Sequence, residues 1–138
     1  MPSVLRPSTK LSALDIVRIA SETSAVAHCD ACKSLICPGW ESLPGSFPEA
    51  SLRCIGTRWT PDEVEPTLAE YHRDGTRYWS AEAPIALEFH PYNRSELWSC
   101  RTCSRLFLRY TEYGGYYEDK RIRDLNPALI VLDAPPQS

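Results

Sequence analysis

Two Cys-x-x-Cys pairs, Cys29 with Cys32 and Cys100 with Cys103, carry the clearest chemistry in this sequence. A Cys-x-x-Cys turn can aim both sulfurs at one point. Two such knuckles supply four thiolates at ~2.3 Å from a tetrahedral metal ion, the arrangement of a structural zinc site. The usual insert between paired knuckles is ~15 to 20 residues. Here residues 33–99, about half of the chain, lie between them, so the fold must bring the second pair back to the first. Four thiolates would also suit an iron–sulfur centre. A redox-active pair would need a strand-to-helix junction with βαβ patterning, which neither pair has. Ordinary buried thiols are the remaining alternative, since cysteine is among the most buried residues.

Cys37 and Cys54 match no ligand template and are read as core thiols, with His28, His72 and His90 as the imidazoles available for a second site. His28 adjoins Cys29 and could also support that ligand from behind. The sequence carries no phosphate-cradling glycine loop, no Gly-x-Ser-x-Gly elbow and no His-Glu-x-x-His. Four cysteines closing a metal shell leave no position for a catalytic water. Asp62, Glu63 and Glu65 are explained by a helix N-terminus, where the dipole favours acids. The expected protein is therefore not an enzyme.

Several elements must position these cysteines. Ser12 and Asp15 form a capping box ahead of a helix at about 12–24, with Leu14, Val17, Ala20 and Ala25 on one face and Ile16 and Ile19 beside them. SLRCIGTRW, 51–59, reads as a strand. Thr60-Pro61-Asp62-Glu63 is a helix-start signal. Pro66 interrupts it and leaves a short helix over Pro66 to His72. Thr76–Ser80 and Ile85–His90 read as short strands. RLFLRYTEY, Gly114-Gly115 and YYEDKRIRDL have the form of a hairpin with a two-residue turn. Leu106, Leu108 and Tyr110 alternate with Phe107, Arg109 and Thr111 on the two faces of an outer strand. ALIVL suits a buried strand. The expected fold is α+β over residues 1–138: a small antiparallel sheet with one or two helices, stapled by a split four-cysteine site, with loose ends at about 1–9 and 134–138.

WSCRTCSRLFLRY resembles one half of a zinc ribbon, and HCDACK resembles the other. The resemblance implies a structural Zn2+ on Cys29, Cys32, Cys100 and Cys103. It departs from the ribbon pattern where Lys33 and Ser104 replace the glycine that eases a left-handed backbone after the second cysteine. The longer string PYNRSELWSCRTCSRLFLRYTEYGGYYEDKRIRDLNPALI is similar to small bacterial proteins of uncharacterised activity, and implies none.

Composition is that of a globular protein, 43% hydrophobic and 24% charged, and 12 prolines against 6 glycines predict much loop. No apolar run approaches the ~18 residues of a membrane span. MPSVLRPSTKLSALD does not read as a signal peptide, so the expected compartment is the cytoplasm. The formal net charge of −3 would move to about −5 with a tetrathiolate zinc site. Such a charge suits a basic partner, for instance a toxin met by an immunity protein. Tyr113, Tyr116 and Tyr117 at the hairpin tip, with Arg109 nearby, are the expected partner-binding residues. A nucleic-acid-associated ribbon is the runner-up, carried by Arg101, Arg105, Arg109, Lys120, Arg121 and Arg123 among Phe107 and the tyrosines. Glu112, Glu118, Asp119 and Asp124 offset that charge. A metal- or redox-responsive protein is the third reading.

Overall fold

The computed structural model describes residues 9–23, 29–60, 62–71, 76–77, 79–113, 116 and 118–132. The expected loose ends, Thr9 apart, lie outside this set. One α-helix, α1 (Ala13–Glu22), opens the described chain. The Ser12 hydroxyl accepts from the Asp15 N–H at 3.0 Å, and the Asp15 carboxylate accepts from the Ser12 N–H at 2.9 Å, so the capping box closes. The buried stripe runs through Ile16 and Ala20. Leu14, placed on the core face by sequence, is 69% exposed.

Five antiparallel strands form the main sheet in the order β1 (Glu41–Ser42), β6 (Glu118–Asp124), β5 (Leu106–Tyr113), β4 (Glu96–Cys100), β2 (Leu52–Thr57). The fold is α+β. β5 is central, contrary to its reading as an outer strand, and pairs with β4 and β6. Its neighbouring side chains go to opposite faces, and both faces are covered. Leu106, Leu108 and Tyr110 join Leu97, Trp40 and Tyr92 in a core under α1. Phe107 joins Leu52, Ile122, Leu35 and Phe47 in a second core on the other face, together with Cys32, Cys37 and Cys100. The cysteine site is thus continuous with packed hydrophobic structure.

The hairpin register ends at Tyr113 opposite Glu118. The expected two-residue turn falls on Gly114 and Gly115, which lie outside the described residues. Ile85–Ala86 (β3) and Ile130–Val131 (β7) make a separate two-stranded parallel sheet. Expected strand Ile85–His90 shortens to these two residues, and ALIVL is half-buried at β7. The described part of 76–80 is a turn closed by Ser80 N–H on the Arg77 carbonyl at 2.9 Å.

The expected helix over 66–72 is absent from the described residues. Its start signal does form: Thr60 Oγ1 donates to the Glu63 carboxylate at 2.7 Å, and the Glu63 N–H reaches the Thr60 carbonyl at 3.0 Å. It does not propagate, because Pro66 lacks an N–H and the following carbonyls bond to other parts of the fold. Among the described residues no helix is long and apolar enough to cross a membrane.

Candidate metal centre

The first knuckle is a turn beginning at Cys29. The Cys32 N–H donates to the Cys29 carbonyl at 3.1 Å, and the Leu35 N–H to the Cys32 carbonyl at 2.8 Å. The second knuckle is the tip between β4 and β5. There the Cys100 N–H bonds the Arg105 carbonyl at 2.9 Å, and the Ser104 N–H bonds the Cys100 carbonyl at 2.9 Å. Ser104 has φ of 69°, the left-handed conformation for which a ribbon uses glycine. Lys33 is not among the positive-φ residues. Arg101 fastens this tip to the sheet edge, its N–H on the Ser51 carbonyl at 2.9 Å and its Nε on the Ala50 carbonyl at 3.0 Å.

The two knuckles bring all four predicted sulfurs together, within 4.8 Å of one another. Cys29 Sγ stands 3.8 Å from Cys32 Sγ and 3.6 Å from Cys100 Sγ, and Cys32 Sγ stands 3.7 Å from Cys103 Sγ. A regular tetrahedron with metal–sulfur bonds of ~2.3 Å has edges of ~3.8 Å. A disulfide needs sulfurs at ~2.05 Å, and all six cysteines are free. The residues present therefore fit one tetrahedral ion with soft ligands, such as zinc. Cys32 and Cys100 are buried, and Cys29 and Cys103 are half-buried.

Burial works against ionising Cys29, but the Cys32 N–H and the thiols of Cys100 and Cys103 outweigh it and bring its pKa to about 7. Burial pushes Cys32 well above the ordinary thiol range. A cation would offset that cost. Arg105 adds positive charge here. Burial disfavours its guanidinium, yet the hydrogen bond and charge of Asp124, and then the sulfurs of Cys32 and Cys103, hold its pKa above the usual value. Sequence reasoning assigned Arg105 to nucleic acid and missed this role.

Cys37 and Cys54 stay outside the cluster. Their thiols face the Leu35 carbonyl at 3.6 Å and the Gly56 carbonyl at 3.8 Å. Burial raises both, Cys54 to about 11. His90 packs edge-on against Tyr110 with ring centres 6.1 Å apart; His28 and His72 lie outside the described residues.

The basic stretch expected to face nucleic acid is turned to internal partners. Arg105 pairs with Asp124 at 3.2 Å, Arg121 with Asp119 at 2.8 Å, and Lys120 with Glu49 at 3.4 Å. Arg123 is fully buried on the Pro38 and Ala83 carbonyls and the Tyr92 hydroxyl. Arg109 corrects the expected contact surface: it is 6% exposed, bonds Glu49 at 2.8 Å and lies over the Trp98 ring at 4.3 Å. No local signal marked Glu49 as its partner, because the two are 60 positions apart. At the hairpin tip Tyr116 is fully exposed; Tyr117 lies outside the described residues, and Tyr113 closes the strand register.

A cleft of about 410 Å³ opens between α1 and the start of β5, beside Thr23, Pro38 and Leu125. The Arg105–Asp124 pair forms its charged wall. In comparisons with known proteins, the chain matches no family model, no curated protein and no solved structure.

Proposed function

We propose that this chain is a non-catalytic protein-binding module whose fold is clamped by one structural zinc ion on Cys29, Cys32, Cys100 and Cys103. The supporting observation is the four-sulfur cluster itself, drawn from two knuckles far apart in sequence, its sulfurs within 4.8 Å of one another. A catalytic zinc keeps a position open for water or substrate, and four thiolates fill every position. The clamp joins the chain entering the first knuckle to the β4–β5 tip, so the ion's role is to close the fold.

The partner in this reading is a basic protein, such as a toxin that an immunity protein neutralises. The net charge of −3 favours such an encounter. The internal pairing of Arg105, Arg109, Lys120 and Arg121 removes the main support for a nucleic-acid partner.

Elemental analysis beside a thiol count tests the clamp. About one zinc per chain is expected, with four of the six thiols protected until chelator is added. Absence of metal from protein purified without chelator, with all six thiols reacting independently, would overturn it. A native pull-down that returns nucleic acid and no protein would remove the partner half of the proposal.

A further inference from the structure

Residues 62–71 form a loop whose backbone is held to the fold while the side chains of Val64 and Leu68 are held out of it. The Val64 carbonyl accepts from Trp59 Nε1 at 3.0 Å, and the Pro66 carbonyl from Arg94 Nη2 at 2.8 Å. The Thr67 carbonyl accepts from Asn93 Nδ2 at 2.9 Å, and the Ala69 carbonyl from the His90 N–H at 2.8 Å. Yet Val64 is 91% exposed and Leu68 is 64% exposed. A single exposed apolar residue on a surface is ordinary. An ordered loop is different. Fixing these backbones costs conformational entropy, and the two side chains return little burial to the fold. Ordering them in advance lowers the entropy cost of a later contact. Four positions apart, their Cα atoms are separated by at most ~14 Å, within reach of one contact patch.

Charge indicates what covers the patch. Asp62, Glu65 and Glu70 are exposed in the same segment as the two apolar residues, Glu65 pairing with Arg94 at 3.4 Å. Two described cations of this region, Arg94 and Lys10, are tied to the loop. The Arg94 side chain is 17% exposed beneath the loop, and Lys10 is bonded to Glu63 at 2.6 Å. The outward face is therefore apolar at its centre and acidic around it. A second copy of this chain would present the same sign and be repelled. The complementary surface is an apolar pocket rimmed by Lys and Arg, an arrangement in which the rim sets encounter rate and the apolar centre sets residence.

We propose that loop 62–71 is the surface by which this protein docks on a basic partner protein, Val64 and Leu68 entering an apolar pocket and the flanking carboxylates meeting its basic rim. This inference rests on the reading of the chain as a protein-binding module.

The test begins with capture from an extract of the producing organism on the zinc-loaded protein. The captured protein is then identified, purified and titrated calorimetrically against wild type and variants. The expected partner is basic and binds wild type more weakly as salt rises. Val64→Ser with Leu68→Ser should weaken binding at least tenfold and leave the melting temperature unchanged, because neither side chain is buried. Leu14→Ser, which alters an apolar residue 69% exposed on α1, should bind as wild type. If the double variant binds as wild type while Tyr116→Ala loses affinity, the hairpin tip is the contact surface. The loop inference then falls and the protein-binding reading stands. An acidic partner, or affinity indifferent to salt, also overturns the loop inference. If wild type captures no protein, the protein-binding reading falls and the loop inference falls with it.

Discussion

Cys29 and Cys100 lie 71 positions apart in the chain, and their sulfurs lie 3.6 Å apart in the fold. A metal held between them closes a loop containing β1, β2, β3 and β4. Apparent binding energies for structural zinc are about 10–16 kcal/mol, against about 5–15 kcal/mol for the stability of a whole domain. Cys100→Ser should therefore lower the melting temperature sharply or prevent folding. Calorimetry with and without chelator separates ligand loss from lost packing. Chelator should destabilise wild type strongly and add little to the variant. Cys37→Ser should cost about 1–2 kcal/mol, as a buried thiol outside the cluster, and should keep the chelator response. A wild-type curve indifferent to chelator would end the zinc argument.

Ser104 supplies a second, smaller test at the same site. Its φ of 69° places a Cβ in the left-handed region. A left-handed backbone costs an L-residue about 1–2 kcal/mol, which glycine avoids, while glycine loses part of that gain to its freer unfolded chain. Ser104→Gly should raise stability by about 0.5–1 kcal/mol in chemical denaturation. Ser104→Val should lose at least as much, since a branched side chain is least tolerated there.

These two sites show which features were legible in the sequence. The knuckles were, because three-residue spacing and turn geometry are local. The Ser12–Asp15 capping box was legible for the same reason, and so were the long strands on either side of Gly114-Gly115. Loop 60–71 was not. Its start signal formed as expected, but His90, Asn93 and Arg94 supply donors that capture its carbonyls, and no local pattern reveals a donor more than 20 residues away. The core face of α1 was misjudged because Leu14, Ile16 and Val17 are all apolar, and only packing decides which of them points inward. The partners of the basic stripe of 101–123 were hidden for a related reason: Glu49, which takes Arg109 and Lys120, lies far from them in sequence.

The Glu49–Arg109 pair yields the third prediction. Arg109 is nearly buried, while the Glu49 side chain is 45% exposed. Its hydrogen bond with Arg109, and then the charges of Arg109 and Lys120, hold the Glu49 carboxyl below its ordinary range. Removing one partner of a fully buried pair costs about 3–5 kcal/mol. Half-exposure of Glu49 lets water reach the stranded guanidinium, so Glu49→Ala should cost about 1–2 kcal/mol. Arg109→Met should leave a smaller further loss when added to Glu49→Ala than when made alone. A double-mutant cycle by urea denaturation reads the coupling directly. Zero coupling would mean that packing on Trp98, not the ion pair, holds Arg109.

Glu63 sets a pH dependence. Hydrogen bonds from Lys10 and Thr60 bring its pKa from 4.5 to about 2. A carboxylate depressed in the folded state contributes stability that is complete above its unfolded value and vanishes as the pH falls through its folded value. The stability difference between wild type and Glu63→Gln should therefore be constant above about pH 5.5 and shrink between pH 4.5 and about 2. Parallel urea titrations of the two proteins across that range measure it. Taking the difference cancels the proton dependence of the thiolates, which both proteins share. A difference that grew on acidification would contradict the Lys10–Glu63 pairing.

The edge of β2 provides the last prediction. Leu11 N–H bonds the Thr57 carbonyl at 2.8 Å, and Thr57 N–H bonds the Thr9 carbonyl at 2.7 Å, so the segment before α1 lies along this edge. Gly56 makes the approach possible. A Cβ there would stand 2.7 Å from the Thr9 carbonyl oxygen and 2.8 Å from Leu11 Cγ. Real side-chain carbons do not sit that close, so Gly56→Ala must push the segment away. Overpacking of this kind costs about 1–3 kcal/mol. The displaced strand edge would also be open to pairing with other chains. Hydrogen exchange at the Leu11 and Thr57 amides should accelerate in the variant more than exchange in β5, where the sheet is paired on both sides. Equal acceleration everywhere would indicate global destabilisation. Unchanged protection at Leu11 and Thr57 would show that the segment does not depend on Gly56 for its place on the sheet.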